Sequence, residues 1–253
     1  MKSPASQMRW LLAVGCAAFL AALLWNPPAA IVAYAIERLS GQALQLRAPT
    51  GSAWKGIGRL YARQRSGEHV DLGPLSWTTR PARALLGKLP VDLAIGGSGG
   101  NLRVELSAGT VTVRGLNLEL PGRLMASLVP ALEGLGPLGQ LRIGSENLRL
   151  ESGSYYGVVA LEWRPMQLSR LRGVVLGSHV ARLRGAGENV DVELTTLEGP
   201  LRLNGTGNWK KDSGLELAGT IEHGEDRTGE LSALLQGLCS EYSPGRCGFR
   251  FRQ

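Results

Sequence analysis

Few residues of this sequence could carry catalytic or metal chemistry. The chain of 253 residues has three histidines and three cysteines, and charged residues make up only 19% of it. Basic residues exceed acidic ones by 28 to 21, but no dense Lys/Arg cluster with interleaved aromatic residues occurs, which is the pattern that nucleic-acid binding would leave. We therefore predict no nucleic-acid partner, no enzyme activity and no cofactor.

The three histidines do not form a pattern typical of a metal site. His69, His179 and His223 lie far apart, and none has a second histidine at the ligand spacing of a helix or strand. His223 is followed by Glu225 and Asp226, which is more typical of a solvated turn. We predict neither metal ligands nor catalytic residues.

Two glycine-rich stretches also fail as catalytic motifs. In "TGSAWKGIGRL" (50–60), Lys55 precedes Gly56 and a strand pattern follows, whereas a phosphate-binding loop needs Gly-Lys-Ser/Thr followed by a helix. In "GGSGG" (96–100) a strand pattern follows the serine, whereas a nucleophile elbow needs a helix. Both stretches are better interpreted as turns.

A run without charge lies near the N-terminus, from Trp10 to Trp25. Its length approaches the shorter end of a spanning helix, and we predict an anchor at 10–26. Lys2 and Arg9 precede it, so the positive-inside rule places residues 1–9 in the cytoplasm. A cleaved signal peptide ending near Ala33-Tyr34-Ala35 is the alternative. Both interpretations put residues 36–253 outside the cytoplasm.

The cysteines are consistent with an exported domain. Cys16 lies inside the apolar run, while Cys239 and Cys247 flank a short turn-forming segment, "SEYSPGR". In an oxidising compartment we expect Cys239 and Cys247 to form a disulfide. Two free thiols, the alternative, would suit a reducing cytosol.

Period-two alternation dominates the rest of the chain. After a linking helix at 27–41, residues 42–253 alternate apolar and polar side chains, as in "NLRVELSAGTVTVRGLNLEL" (101–120). This pattern is typical of an antiparallel sheet with one covered face. Short helices are predicted at 81–86, 121–135 and 228–238.

The sequence contains a faint internal echo. "GSAWKG" (51–56) and "LSWTTRP" (75–81) have counterparts in "GSYYG" (153–157) and "LEWRP" (161–165). We interpret the echo as two similar β units at 51–120 and 153–209. The predicted fold class is α+β, mostly β: a single transmembrane helix followed by an elongated, curved antiparallel sheet built from two similar units.

The motifs resemble those of the type II secretion system protein N family. The resemblance rests on a Gly-x-x-Trp-x-Gly element (Gly51, Trp54, Gly56) and on a Leu-x-Trp element followed by Arg-Pro (Leu75, Trp77, Arg80, Pro81). A leucine-rich turn with Leu85 and Leu86 follows, and "GSYYGVVALEWRP" and the helix before Cys239 are also similar to the family.

The resemblance implies a single-pass inner-membrane protein with a periplasmic β domain, accessory to the export of folded proteins across the outer membrane. It implies other secretion-system proteins and inner-membrane lipid as partners, and it supplies no catalytic residues. The alternative is a β-groove module that binds or transfers lipids. The two differ in whether the apolar strand faces are covered by helices or open: Leu102, Val104, Leu106, Leu148, Leu150, Val190, Val192 and Leu194.

Overall fold

The structure is a computed structural model. It describes residues 26–64, 67–96, 100–128, 134–171, 174–224, 241–243 and 245–252, with single positions at 14, 15, 132, 231, 235 and 239. The predicted cytoplasmic segment 1–9 lies outside the described residues, as does most of the predicted helix at 228–238.

One antiparallel sheet of 14 strands makes up most of the described chain. The strands lie in chain order from β1 to β12, and then β14 and β13 complete the sheet. Their bounds are β1 Leu44–Gly51, β2 Lys55–Arg63, β3 His69–Thr79, β4 Lys88–Ile95, β5 Gly100–Ser107, β6 Thr110–Pro121, β7 Pro137–Glu151, β8 Ser154–Leu168, β9 Val175–Gly187, β10 Asn189–Glu198, β11 Leu201–Lys210, β12 Gly214–His223, β13 Glu241–Ser243 and β14 Arg246–Arg252.

The helices are few and short. Helix α1 (Ala30–Leu39) precedes β1, and α2 (Met125–Leu128) lies between β6 and β7. In the described ranges, 3₁₀ helices lie in connections at Pro81–Leu86, Gly122–Leu124 and Ser169–Leu171. The part of the chain that the structure describes is therefore mostly antiparallel β structure with few helices.

The transmembrane helix in our predicted fold class is wrong for the described residues. No helix there is long and apolar enough to cross a membrane, and α1 has 10 residues and includes the charged Glu37 and Arg38. Of the predicted anchor, the structure describes only residues 14, 15 and 26.

The two faces of the sheet differ in chemistry because side chains alternate along each strand. On β10, Val190 and Val192 are buried while Asp191 and Glu193 are exposed. The polar face carries ion pairs between residues directly opposite on neighbouring strands, such as Arg103 with Asp92. The same arrangement recurs at Arg142–Glu119, Arg246–Glu222 and Arg252–Glu216.

The two ends of the sheet also differ. At one end, which we call the turn end, the connections are 52–54, 80–87, 108–109, 152–153, 188 and 211–213. At the other, the loop end, they are 64–68, 96–99, 122–136, 169–174, 199–200 and 224–240. All but one of the turn-end connections are tight turns, whereas the longest connections lie at the loop end.

Two hydrophobic clusters cover parts of the apolar face, and each contains a buried tryptophan. The first lies under α1 on β1–β4 and contains Leu46, Leu60 and Trp77. The second lies at the loop end of β6–β12 and contains Leu141, Trp163 and Leu168, together with Leu231 and Leu235 from the C-terminal connection. Stability of the sheet therefore depends on two separate covers rather than on one central core.

The internal echo has a structural counterpart at the tryptophans. The Trp77 indole N–H donates to the carbonyl of Ser52 at 3.1 Å, and that of Trp163 to the carbonyl of Leu138 at 2.7 Å, each over 25 residues of sequence. However, β3 runs towards the turn end and β8 runs towards the loop end. The strands that carry the two tryptophans therefore run in opposite directions, so the two predicted units are not related by a simple translation along the sheet.

Candidate functional site

The motif residues Gly51, Gly56 and Trp77 form one packed arrangement at the turn end. Gly56 lies opposite Trp77 across β2 and β3, and a Cβ atom at Gly56 would collide with the Trp77 ring and with the carbonyl of Thr50. Gly51 has a φ of +96°, which a side chain would strain. The glycines therefore leave room for a fully buried indole, which is a role in packing.

Trp54 and Pro81 lie beside this arrangement but are not buried in it. Trp54 is half-buried in the turn between β1 and β2, and its carbonyl accepts a hydrogen bond from the Thr79 N–H at 2.7 Å. Pro81 is the first residue of the exposed 3₁₀ helix after β3. Both residues shape the turn end of the sheet.

The structure joins Cys239 and Cys247 in a disulfide, with their Cα atoms 5.6 Å apart. Cys247 is fully buried on β14, opposite Ile221 of β12, and Cys239 packs against the second cluster. The bond therefore ties the C-terminal connection to the last long strand of the sheet.

The three histidines are dispersed, and His179 is buried on β9 next to Trp163. Its Nδ1 lies 3.1 Å from the Thr196 hydroxyl, while its Nε2 is buried without a partner. Desolvation lowers the pKa of His179 to about 4. Among the described residues no group of three His, Cys, Asp or Glu side chains could hold a metal ion. His179 is therefore a neutral core residue at physiological pH.

The candidate functional site is an apolar surface at the turn end of β5–β7, which we call the open face. It comprises Val104, Leu106, Val111, Val113, Leu148 and Leu150. Val104, Val113 and Leu148 lie opposite one another across the three strands, as do Leu106, Val111 and Leu150. All six are half-buried or exposed, and Leu106 is 39% exposed. In the part of the chain that the structure describes, none of them belongs to either cluster.

The sheet curves towards this apolar side. The rings of Tyr155 on β8 and Trp209 on β11 meet edge to face, with centroids 5.2 Å apart. Some Cα atoms of β8 and β10 lie within 8 Å of each other, whereas two strand spacings in a flat sheet are about 9.6 Å. Gly185 on β9 faces the same side, where a Cβ atom would lie 2.6 Å from the Tyr155 carbonyl oxygen. The open face therefore lies beside a concave wall of apolar residues.

The sequence predicts eight apolar strand residues whose exposure distinguishes a helix-covered face from an open one, and the structure shows that their exposure differs. Leu102, Val190 and Val192 are buried, Val104, Leu148, Leu150 and Leu194 are half-buried, and Leu106 is exposed. The helical covers lie over β1–β4 and over the loop end. Cover and opening therefore occur on different parts of the same sheet.

The two edges of the sheet are unequal. Edge strand β1 contains Pro49, a positive φ at Ala48 and a register shift between Arg47 and Thr50, all of which hinder pairing with another strand. At the other edge, β13 pairs only with Arg246–Gly248 of β14. Among the described residues, no strand pairs with the outer side of 249–252, so this stretch could accept one.

The sequence pattern identifies the alternating strands, but it does not predict three features of the sheet surface. The exposure of Leu85 and Leu86, the burial of His179 and the difference between the two edges all depend on which segments cover which strands. A signal was present for the edges, because Pro49 in a strand pattern favours an edge position.

Comparisons with known proteins agree with the resemblance. A family model described as type II secretion system (T2SS), protein N, matches residues 42–250. No curated protein and no solved structure matches the chain. The matched range covers β1 to β13 and all but the last two residues of β14, and the chain therefore belongs to the type II secretion system protein N family, whose role is accessory to protein secretion in the cell envelope.

Proposed function

We propose that this chain is a non-enzymatic accessory component of the type II secretion system that acts on the periplasmic side of the inner membrane. Membership of the family supports the accessory role and other secretion-system proteins as partners. The Cys239–Cys247 disulfide supports an oxidising compartment such as the periplasm. The burial of His179 beside Trp163 gives this one of the three histidines a packing role.

We further propose that a partner protein adds a strand to β14 at residues 249–252. The observation that carries this proposal is the difference between the edges. Strand β1 is hindered by Pro49 and its bulge, whereas no described strand pairs with the outer side of 249–252 on β14, next to the disulfide. Strand addition gives affinity through main-chain hydrogen bonds, so such a partner could dock without a large apolar interface.

Photo-crosslinking in living cells tests this contact. A benzoylphenylalanine at Arg250, which is exposed on β14, is expected to crosslink to another secretion-system protein. The matched control places the same group at Arg47, which is exposed on β1. Equal crosslinking at both positions, or none at Arg250 in a strain with an active pathway, would contradict docking at this edge.

The second candidate function is binding or transfer of lipids on the open face. It is favoured by the uncovered apolar residues of β5–β7 and by the curvature at β8–β11. Native mass spectrometry of the chain released from the mildest sufficient detergent is expected to retain phospholipid. A Leu106→Asp, Leu150→Asp variant is the control and should lose that lipid while retaining its fold. Absence of lipid from the parent chain would exclude this candidate.

A further inference from the structure

The connection 80–87 exposes two adjacent leucines at the turn end. Leu85 is 90% exposed and Leu86 is 81% exposed; Leu39, at 88%, is similarly exposed but stands alone at the end of α1. Gly87, at a φ of +72°, ends the 3₁₀ helix that carries them. In the corresponding helix at the loop end, Leu171 is only 3% exposed, because it packs into the second cluster. We call residues 80–88 the leucine loop.

The charged residues of the leucine loop are all basic. Arg80, Arg83 and Lys88 are exposed on it, and Lys55 is exposed in the neighbouring start of β2. No Asp or Glu occurs in 51–57 or 79–91. Elsewhere on the sheet, the arginines are commonly paired with carboxylates on the next strand, as Arg103 is with Asp92. On the neighbouring strand β5, Glu105 lies opposite Pro90, so the excess of cations belongs to the loop itself. Exposed leucines flanked by these cations match an anionic apolar partner such as a phospholipid surface.

The chain enters the sheet at the same end. The Pro27 carbonyl accepts a hydrogen bond from the Ala53 N–H at 2.7 Å, and Pro28 forms a β-bridge with Ser52. The Trp54 carbonyl, in the same turn, bonds to the N–H of Thr79, directly before the leucine loop. The uncharged run that ends at Trp25 is thus connected to the sheet beside the leucine loop.

We propose that the leucine loop binds the surface of an anionic phospholipid bilayer. Leu85 and Leu86 insert among the acyl chains, and Arg80, Arg83 and Lys88 contact the headgroups. The inference rests on the proposed function in placing the chain at a membrane, and it adds the residues that make contact. Bound in this way, the sheet stands with its turn end on the bilayer, so the open face begins close to the lipid.

Depth-dependent quenching tests the insertion directly. The full chain, with Cys16→Ser and Leu86→Cys, is labelled with an environment-sensitive fluorophore, the Cys239–Cys247 disulfide remaining oxidised. In vesicles of phosphatidylglycerol and phosphatidylethanolamine, shallow doxyl lipids are expected to quench the label and aqueous iodide to be ineffective. Because Leu86 is so exposed, the substitution removes little packing, and folding is checked by circular dichroism.

The matched control is Leu197, an apolar residue that is 42% exposed near the loop-end terminus of β10. The same label at Leu197→Cys is expected to be quenched by iodide and not by doxyl lipids. If the label at position 86 behaves like that at position 197, the proposal is overturned. The same result is expected if the loop docks on a protein rather than on lipid.

The role of charge is tested by a second pair of variants. Arg80→Gln and Arg83→Gln are each expected to lower the equilibrium constant for membrane contact of the loop about fivefold in anionic vesicles, since each basic residue near such a surface contributes about that factor. Both variants should match the parent in vesicles of phosphatidylcholine alone. Equal quenching of parent and variants in anionic vesicles would contradict headgroup contact.

Secretion measured in cells separates this inference from the proposed function. If deletion of the gene abolishes secretion but the label at position 86 stays in water, the membrane contact alone fails. If the label inserts but deletion leaves secretion unchanged, the accessory role fails and the membrane contact stands.

Discussion

The first cluster, with Trp77, and the second cluster, with Trp163, each bury one tryptophan against the sheet, but the neighbours of the two indoles differ. Each indole donates its N–H to a backbone carbonyl 25 residues earlier. Trp77 lies between Gly56 and Leu93, whereas Trp163 lies between Leu141 and His179. The first cluster is covered by α1, and the second by longer connections and a disulfide. The same tryptophan arrangement therefore occurs both between apolar neighbours and beside a buried histidine.

Removing either anchor gives the largest expected effect. Trp77→Ala and Trp163→Ala are each expected to lower the free energy of unfolding by about 3–5 kcal/mol, because each deletes a buried ring and leaves a cavity. Urea denaturation followed by far-UV circular dichroism measures the loss. A single shifted transition in both variants would show that the clusters unfold together, whereas a second, unshifted transition would show that they unfold independently.

Acid should distinguish the two clusters. The folded pKa of His179 is lowered to about 4, so the unfolded chain binds its proton first, near pH 6.5. The stabilisation from neutral His179 is complete above pH 6.5 and is lost as the pH falls towards 4, by about 1.4 kcal/mol per pH unit.

A His179→Leu variant, which copies Leu93 of the first cluster, provides the control for this pH dependence. Its free energy of unfolding should fall less steeply between pH 6.5 and pH 4 than that of the parent, as measured by urea titrations at each pH. Parallel curves for parent and variant would contradict the burial of a neutral imidazole.

The disulfide should support the second cluster only. Cys239→Ser with Cys247→Ser is expected to cost about 2.5 kcal/mol, the value for a short closed loop. Limited proteolysis should then release the C-terminal connection while the first cluster stays protected. Faster cleavage within β1–β4 would indicate that the bond stabilises the whole sheet instead.

Breaking one ion pair of the polar face should have the smallest effect. Arg103 and Asp92 are both well exposed, and water and salt screen such pairs. Arg103→Ala is expected to leave the urea midpoint unchanged within error. A clear shift would mean that the polar face, and not only the two clusters, holds the strands in register.

Much of the sheet was predictable because alternation identifies strands locally. Val190, Val192 and Leu194 were correctly assigned to one face of β10. At Gly115, with a φ of +65°, the apolar positions change from Val111 and Val113 to Leu116 and Leu118, and the sequence pattern already shows that change of phase.

The covers and the site were less predictable because they depend on contacts distant in sequence. His179 looks polar in the sequence, and its burial follows from Trp163 on one neighbouring strand and Thr196 on the other. Leu85 and Leu86 have the same local pattern as leucines that pack elsewhere, so their exposure depends on what lies opposite them. The transmembrane helix of the predicted fold class has no counterpart among the described residues, and most of the run from Trp10 to Trp25 lies outside them.

Secretion from a strain that depends on the type II pathway tests the accessory role most directly. The gene is deleted and then restored as the parent chain or as Trp77→Ala, and exported proteins in the culture medium are measured by immunoblotting together with the amount of this chain. We predict that deletion reduces export and that only the parent restores it fully. Unchanged export in the deletion strain, with other secretion-system proteins also at normal levels, would contradict the accessory role.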